Sequence, residues 1–205
     1  MVTFLPAHDR KAIDDAITLA EQRTSVEILI VVARMSDPYL SYLLLYGLVL
    51  GTLAASGFYF EGSIRTFPAL VIVQYGFMML VSLVPCIAHW FACLVPAAEK
   101  RRRARLRASI EYEHARHHVP GNAPLVMLFV SLGERYAHVH HSRMIDEKHP
   151  REWWVARTDA FTRAMKQHGI APAVTSFVAD CDDALAPLLP NAGQSYHNLP
   201  NVREI

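Results

Sequence analysis

The sequence predicts an α/β protein: a small mixed β-sheet with flanking helices, interrupted by a two-helix transmembrane hairpin. Three observations predict it. Two apolar runs of strand character, "SVEILIVVA" and "PLVMLFVSL", lie far apart in the chain, and neither can satisfy its backbone groups alone. A long, nearly uncharged tract separates them, and the segments outside that tract carry apolar residues at helical spacing. Of the 205 residues, 52% are hydrophobic, above the range usual for soluble domains, so part of the apolar surface is expected to face lipid.

Taken in order, "DRKAIDDAITLAEQ" places Ile13, Ala16, Ile17 and Ala20 on one helical face. "SVEILIVVA" is continuous and β-branched, as expected of a strand covered on both faces. Residues 39–60 contain no charge, and at 1.5 Å per residue they make about 33 Å of helix, enough for a bilayer core. Residues 67–95 are also uncharged and longer than one span needs, so a tilt or a bend at Pro85 is expected. Tyr39, Tyr42, Tyr59 and Trp90 suit interfacial positions. The linker "EGSIRT" is short enough to require a hairpin with both ends on one side.

After the hairpin, a basic and polar helix runs to His118 and breaks at Pro120 and Gly121. "PLVMLFVSL" and "YAHVHH" then read as strands joined by the tight connection "GER", the second antiparallel to the first. "REWWVARTDAFTRAMKQHG" is amphipathic through Trp153, Trp154, Ala160, Phe161, Ala164 and Met165, and ends at Gly169. A last helix turns Val174, Phe177, Val178, Cys181 and Leu185 inward. This order makes residues 1–36 and 99–189 two parts of one cytoplasmic domain, with the hairpin at 38–97 and a polar tail at 190–205. Residues 26–32 are expected to pair with 124–132 across the insertion.

Formal net charge is +1, so no global basic field points to nucleic acid. The charge is instead concentrated: Lys100, Arg101, Arg102, Arg103, Arg105 and Arg107 follow the second span directly. The positive-inside rule then puts both termini in the cytoplasm of a bacterial inner membrane, and the same cations suit anionic lipid headgroups. Membrane lipid and a membrane-protein partner are the expected partners, and nucleic acid is not. Cys86, Cys93 and Cys181 form no CxxC pair and are expected to be reduced. "MVTFLPAHDRK" lacks a basic region followed by an apolar core, so no cleaved signal peptide is expected. No Gly-rich phosphate loop, GxSxG elbow or HExxH occurs.

"TSVEILIVVARMSDPY" leading into two spans, then "LVMLFVSLGERYAHV" and the terminal "NLPNVREI", together resemble the TPM domain family in its small bacterial membrane form. The resemblance implies a TPM-like α/β domain. The family includes a thylakoid protein of photosystem repair, for which phosphatase activity has been proposed, and a nematode modulator of acetylcholine receptors. It therefore implies either a binding or accessory module without catalysis, or a cation-dependent phosphatase-like hydrolase. Ser142 stands where the small bacterial form has an acidic residue and Met144 where it has a glycine, and "GNAPLV" lacks the usual Thr-Gly pair.

Candidate chemistry is sparse. Strand alternation puts Tyr136, His138 and His140 on one face and Ala137, Val139 and His141 on the other. His138 and His140 are candidate metal ligands, and His114 or His117 from the preceding helix is the candidate third, since zinc takes at least three protein ligands. The alternative is a solvated edge strand holding no cofactor. Glu27 and Glu134 are the candidate catalytic carboxylates, serving as acid, base or ligand of a divalent cation. Against this, Glu27 at a strand start is expected to be exposed or paired with an arginine. Asp180, Asp182 and Asp183 suit a hard cation with Glu134, or a solvated helix face.

Overall fold

The computed structural model describes residues 5–83, 93–120, 123–191 and 199–205. The expected bend at Pro85, the interfacial Trp90 and Cys86 lie outside the described residues. The chain divides into two compact units, Met1–Ser36 with Arg101–Ile205, and Asp37–Lys100.

The first unit is built on a four-stranded mixed sheet in the order β3-β2-β1-β4. Its central strands, β1 (Glu27–Ala33) and β2 (Leu125–Ser131), are buried at every residue. They pair in parallel, Glu27 opposite Leu125 through to Ala33 opposite Ser131, so the sheet closes across the inserted unit. The other two strands are β3 (Tyr136–His141), antiparallel to β2, and β4 (Val202–Glu204), parallel to β1. Alternation sends Ile28, Ile30, Val32 and Leu128 to one core and Leu29, Val31, Met127 and Phe129 to another. Against the first core pack helices α1 (Ala7–Arg23), α6 (Arg151–His168) and α7 (Ile170–Leu185), through Ile17, Phe161, Phe177 and Leu185 among others. Against the second packs α4 (Ala97–His118) through Ala108 and Ala115, with Ala104 also buried.

The expectation that residues 190–205 form a tail is corrected for residues 199–205, while residues 192–198 lie outside the described residues. The end of the chain is the outer strand β4: Ile30 donates to the Asn201 carbonyl at 2.9 Å and Ile205 to that of Val32 at 3.0 Å. Glu204 is buried and accepts the Leu5 N–H at 3.2 Å. Three residues, only one of them apolar and β-branched, carry too little pattern to be read as a strand; the pairing edge of β1 makes them one.

The second unit contains α2 (Leu40–Phe60) and α3 (Phe67–Leu83). The chain enters α2 through Tyr39, at φ 52° and ψ 28°, with the Asp37 carboxylate accepting the Tyr39 N–H at 2.6 Å. The two helices pack antiparallel on glycines. A Cβ on Gly47 would lie 2.6 Å from Met78 Cα, and one on Gly51 would lie 2.5 Å from the Gln74 carbonyl oxygen. Small residues four apart permit this approach, and Gln74 Nε2 donates to Thr52 Oγ1 across it at 2.9 Å. Among the described residues, only Leu40–Phe60 is long and apolar enough to cross a membrane; Phe67–Leu83 is apolar but shorter. α5 (Arg143–Asp146), in the first unit, is a single turn between β3 and α6.

Candidate functional site

β3 is the outer strand of the sheet on the side opposite β4. Ser142 donates to the Leu125 carbonyl at 2.9 Å, and bonded pairs alternate along an antiparallel ladder. His138 and His140 therefore turn their main-chain groups toward β2, whereas Ala137, Val139 and His141 turn theirs to the open edge. A cavity of about 510 Å³ runs along this edge, lined by His138, His140, His141, Asp146, Arg151 and Trp154, with Thr158 and Asp159 further along α6. That volume lies within the range of small-molecule sites.

Each face of β3 brings its imidazoles to a different helix. On the α4 face, His140 stacks on Tyr112, ring centroids 5.2 Å apart at 23°, and His138 meets His140 edge-on at 4.7 Å. On the other face, His141 stacks on Trp154 at 4.6 Å and 21°, with its Nδ1 3.4 Å from the Asp146 carboxylate. Trp154 then meets Trp153 edge-on, and the Arg157 guanidinium lies 5.2 Å over the Trp153 ring.

Burial holds all three imidazoles below the ordinary histidine range, with His140 pushed down to about 4. Beyond burial, Arg105, His141 and Arg151 lower His138 further, and His138 and His141 lower His140. For His141 the Asp146 carboxylate opposes the effect of burial. At neutral pH the rings are uncharged, and each presents one nitrogen as an acceptor. His140 Nε2 and Trp154 Nε1 are buried and have no hydrogen-bond partner among the described residues. The site thus combines aromatic faces, neutral acceptors, an indole donor and both signs of charge, which suits binding of a small polar ligand or chain segment.

The other candidates do not converge here. His114 lies two residues beyond Tyr112, about 200° around the helix, and faces Arg203, whose Nη1 is 3.1 Å from its Nδ1. His117 is exposed. Among the described residues no three His, Cys, Asp or Glu side chains gather as a metal-holding group.

Glu27 is buried at the start of β1 and accepts the Leu199 N–H at 3.3 Å. Of the two expected arrangements, exposed or paired with an arginine, the exposed one is corrected, because the returning end of the chain covers Glu27. Glu134 sits past the far end of β2, where it accepts the Ser36 N–H at 3.1 Å and the Ser131 hydroxyl. Since β1 and β2 are parallel, a full strand length of about 20 Å separates the two carboxylates, and they cannot act on one atom. Asp182 is buried and pairs with Arg23 at 2.7 Å, while Asp180 pairs with Arg157 at 2.9 Å. Of that acidic group Asp183 is exposed and Asp180 half-buried, and Asp180 and Asp182 are tied to arginines rather than to Glu134. Lys100, Arg101, Arg102, Arg103, Arg105 and Arg107 occupy the first turns of α4, where Arg107 pairs with the buried Glu111 at 3.0 Å.

Sequence reasoning missed Tyr112, Asp146, Arg151 and the role of Trp154. The available signal was the run "HHSRMID", which puts an acid five residues after His141, and the tryptophan pair at the start of an amphipathic helix; both read equally well as ordinary surface and core.

No family model matches the chain, and no curated protein matches it. Its fold is similar to the NMR structure of the BA42 protein from the psychrophilic bacterium Bizionia argentinensis, with a TM-score of 0.54 and 16% identity, covering 100% of this chain and 98% of that one. At that identity the likeness is one of fold.

Proposed function

We propose that this chain is an integral protein of a bacterial inner membrane, held by a two-span hairpin with both termini in the cytoplasm, and that its TPM-like α/β domain is a binding or accessory module. One observation carries the membrane reading: α2 is uncharged, yet only 22% of its most apolar window is buried. The core helix of a soluble protein would be mostly covered, whereas here Leu45, Val49 and Leu53 are exposed, Leu53 at 65%. Exposed apolar area on this scale calls for lipid or a partner. Orientation follows from charge: the linker between α2 and α3 carries Arg65 against Glu61, while six cations follow the second span.

Binding rather than catalysis is supported by the cavity at β3, with its neutral imidazoles, and by the engagement of Glu27 and Glu134 with main-chain N–H groups at opposite ends of the sheet. A cation-dependent phosphatase is the second reading, favoured by one observation, the buried and unpartnered Nε2 of His140. Two experiments test the proposal. A topology reporter after Ile205 should read cytoplasmic and one inserted at Ser63 periplasmic; a periplasmic C-terminus refutes the arrangement. Purified protein should hold no stoichiometric metal and should not hydrolyse a generic phosphomonoester. Hydrolysis that disappears in Glu27→Ala would replace the binding reading with the enzymatic one.

A further inference from the structure

From the outward face of α4 we infer an interfacial helix that lies along an anionic lipid surface, with Leu106 and Ile110 entering the headgroup layer and arginines on both flanks. The inference rests on the membrane reading above and adds to it the residues and the orientation. α4 buries Ala104, Ala108, Glu111 and Ala115 against the sheet. At 100° per residue, Arg102, Leu106 and Ile110 fall on the opposite side. Leu106 and Ile110 are 57% and 52% exposed, an apolar pair on an outward face that otherwise carries arginines. Arg101 and Arg105 flank this stripe on one side and Arg103 and Arg107 on the other. That is the pattern of a helix whose apolar residues enter the acyl boundary while long cationic side chains reach the phosphates.

Charge decides the occupant. All six cations belong to the first three turns of α4 against one acid there, Glu99, and the acidic Glu111 and Glu113 follow after Ile110. The complement of such a surface is an anionic headgroup layer, which attracts each cation held close to it. Orientation follows from distance. If α4 stood away from the bilayer, Ile110 would lie about 20 Å beyond Ala97 along the helix. That exceeds the screening length of about 8 Å at physiological salt, and the later arginines would gain little. A helix along the surface brings Arg101 to Arg107 and both apolar residues to the same depth.

The test uses the full chain with its cysteines changed to serine, carrying a nitroxide at Ile110→Cys, in nanodiscs of phosphatidylcholine alone or with phosphatidylglycerol added. A relaxation agent is either chelated on lipid headgroups or free in water. With phosphatidylglycerol the label should relax several-fold faster from the headgroup agent than from the aqueous one, and high salt should reverse that order. The combined Arg101→Gln, Arg102→Gln, Arg105→Gln variant should reverse it too, and a control label at the exposed Asp159 should favour the aqueous agent throughout. A label at Leu53→Cys reports separately on the hairpin. If Leu53 reads acyl chains while Ile110 reads water in every nanodisc, the interfacial helix is refuted and the membrane reading stands. If Leu53 also reads water, both fall. Equal burial of Ile110 without phosphatidylglycerol would refute the anionic requirement. An immobilised label far from the headgroups would assign the face to a second copy of the chain and overturn the inference.

Discussion

Ile30 is the position at which the closed sheet can be tested most directly. It is fully buried in the middle of β1, opposite Leu128 of β2 and Val202 of β4, within the core shared with α1 and α7. Ile30→Val removes one methyl group and should cost about 0.5–1.5 kcal/mol. Ile30→Asp loses the whole apolar side chain, a change of about 2–5 kcal/mol for truncation alone, and puts a carboxyl where no polar partner reaches it. Staying protonated still costs about 1–3 kcal/mol for an unsatisfied group, and ionising costs more. The sum is comparable with the roughly 5–15 kcal/mol that holds a typical domain. On the membrane reading proposed above, limited proteolysis of membranes carrying Ile30→Asp should therefore digest residues 107–189 quickly and spare residues 40–60, which lipid would hold independently of the sheet. Ile30→Val should behave as wild type. If the Ile30→Asp domain resisted protease as well as wild type, the first strand would not belong to the sheet. If the hairpin became sensitive too, the two units would not be independent.

Two further predictions concern the edge site and the hairpin. Because burial lowers His138, His140 and His141, the unfolded chain takes up protons near pH 6.5 while His140 in the folded domain waits until about 4. Stability should thus fall as pH drops through that window. Urea midpoints measured across it should decline, less steeply in His140→Gln, and an identical decline in the variant would show that His140 does not contribute. In the hairpin, Gly51→Leu should force the helices apart, since its Cβ would meet the Gln74 backbone at 2.5 Å, whereas the Cβ of Gly57→Leu would meet nothing within 4 Å. Distances between labels at Leu45 and Leu80 should lengthen in the first variant only, and unchanged distances in Gly51→Leu would refute close glycine packing.

The local pattern was enough for much of this architecture. Apart from Glu27 at one end and Ser131 at the other, "EILIVVA" and "LVMLFVS" are apolar throughout, so their bodies read as strands with no exposed face, and all fourteen residues are buried. "GER" between two strand runs is a tight connection by its chemistry alone, and β3 is antiparallel to β2. Alternation assigned His138 and His140 to one face and His141 to the other, as their stacking on Tyr112 and Trp154 shows. Such features depend on residues within a few positions of one another. What tertiary structure decided depends on partners far along the chain. Val202–Glu204 is a strand because β1 offers it an open edge, and Glu27 is buried because the same returning segment lies over it. The separation of Glu27 from Glu134 follows from the parallel register of β1 and β2. The edge cavity exists because α6, reached only after the turn of α5, comes back along β3 and sets Arg151 and Trp154 beside the imidazoles. Periodicity specifies which face of an element is apolar; which element covers that face is settled only when the whole chain packs.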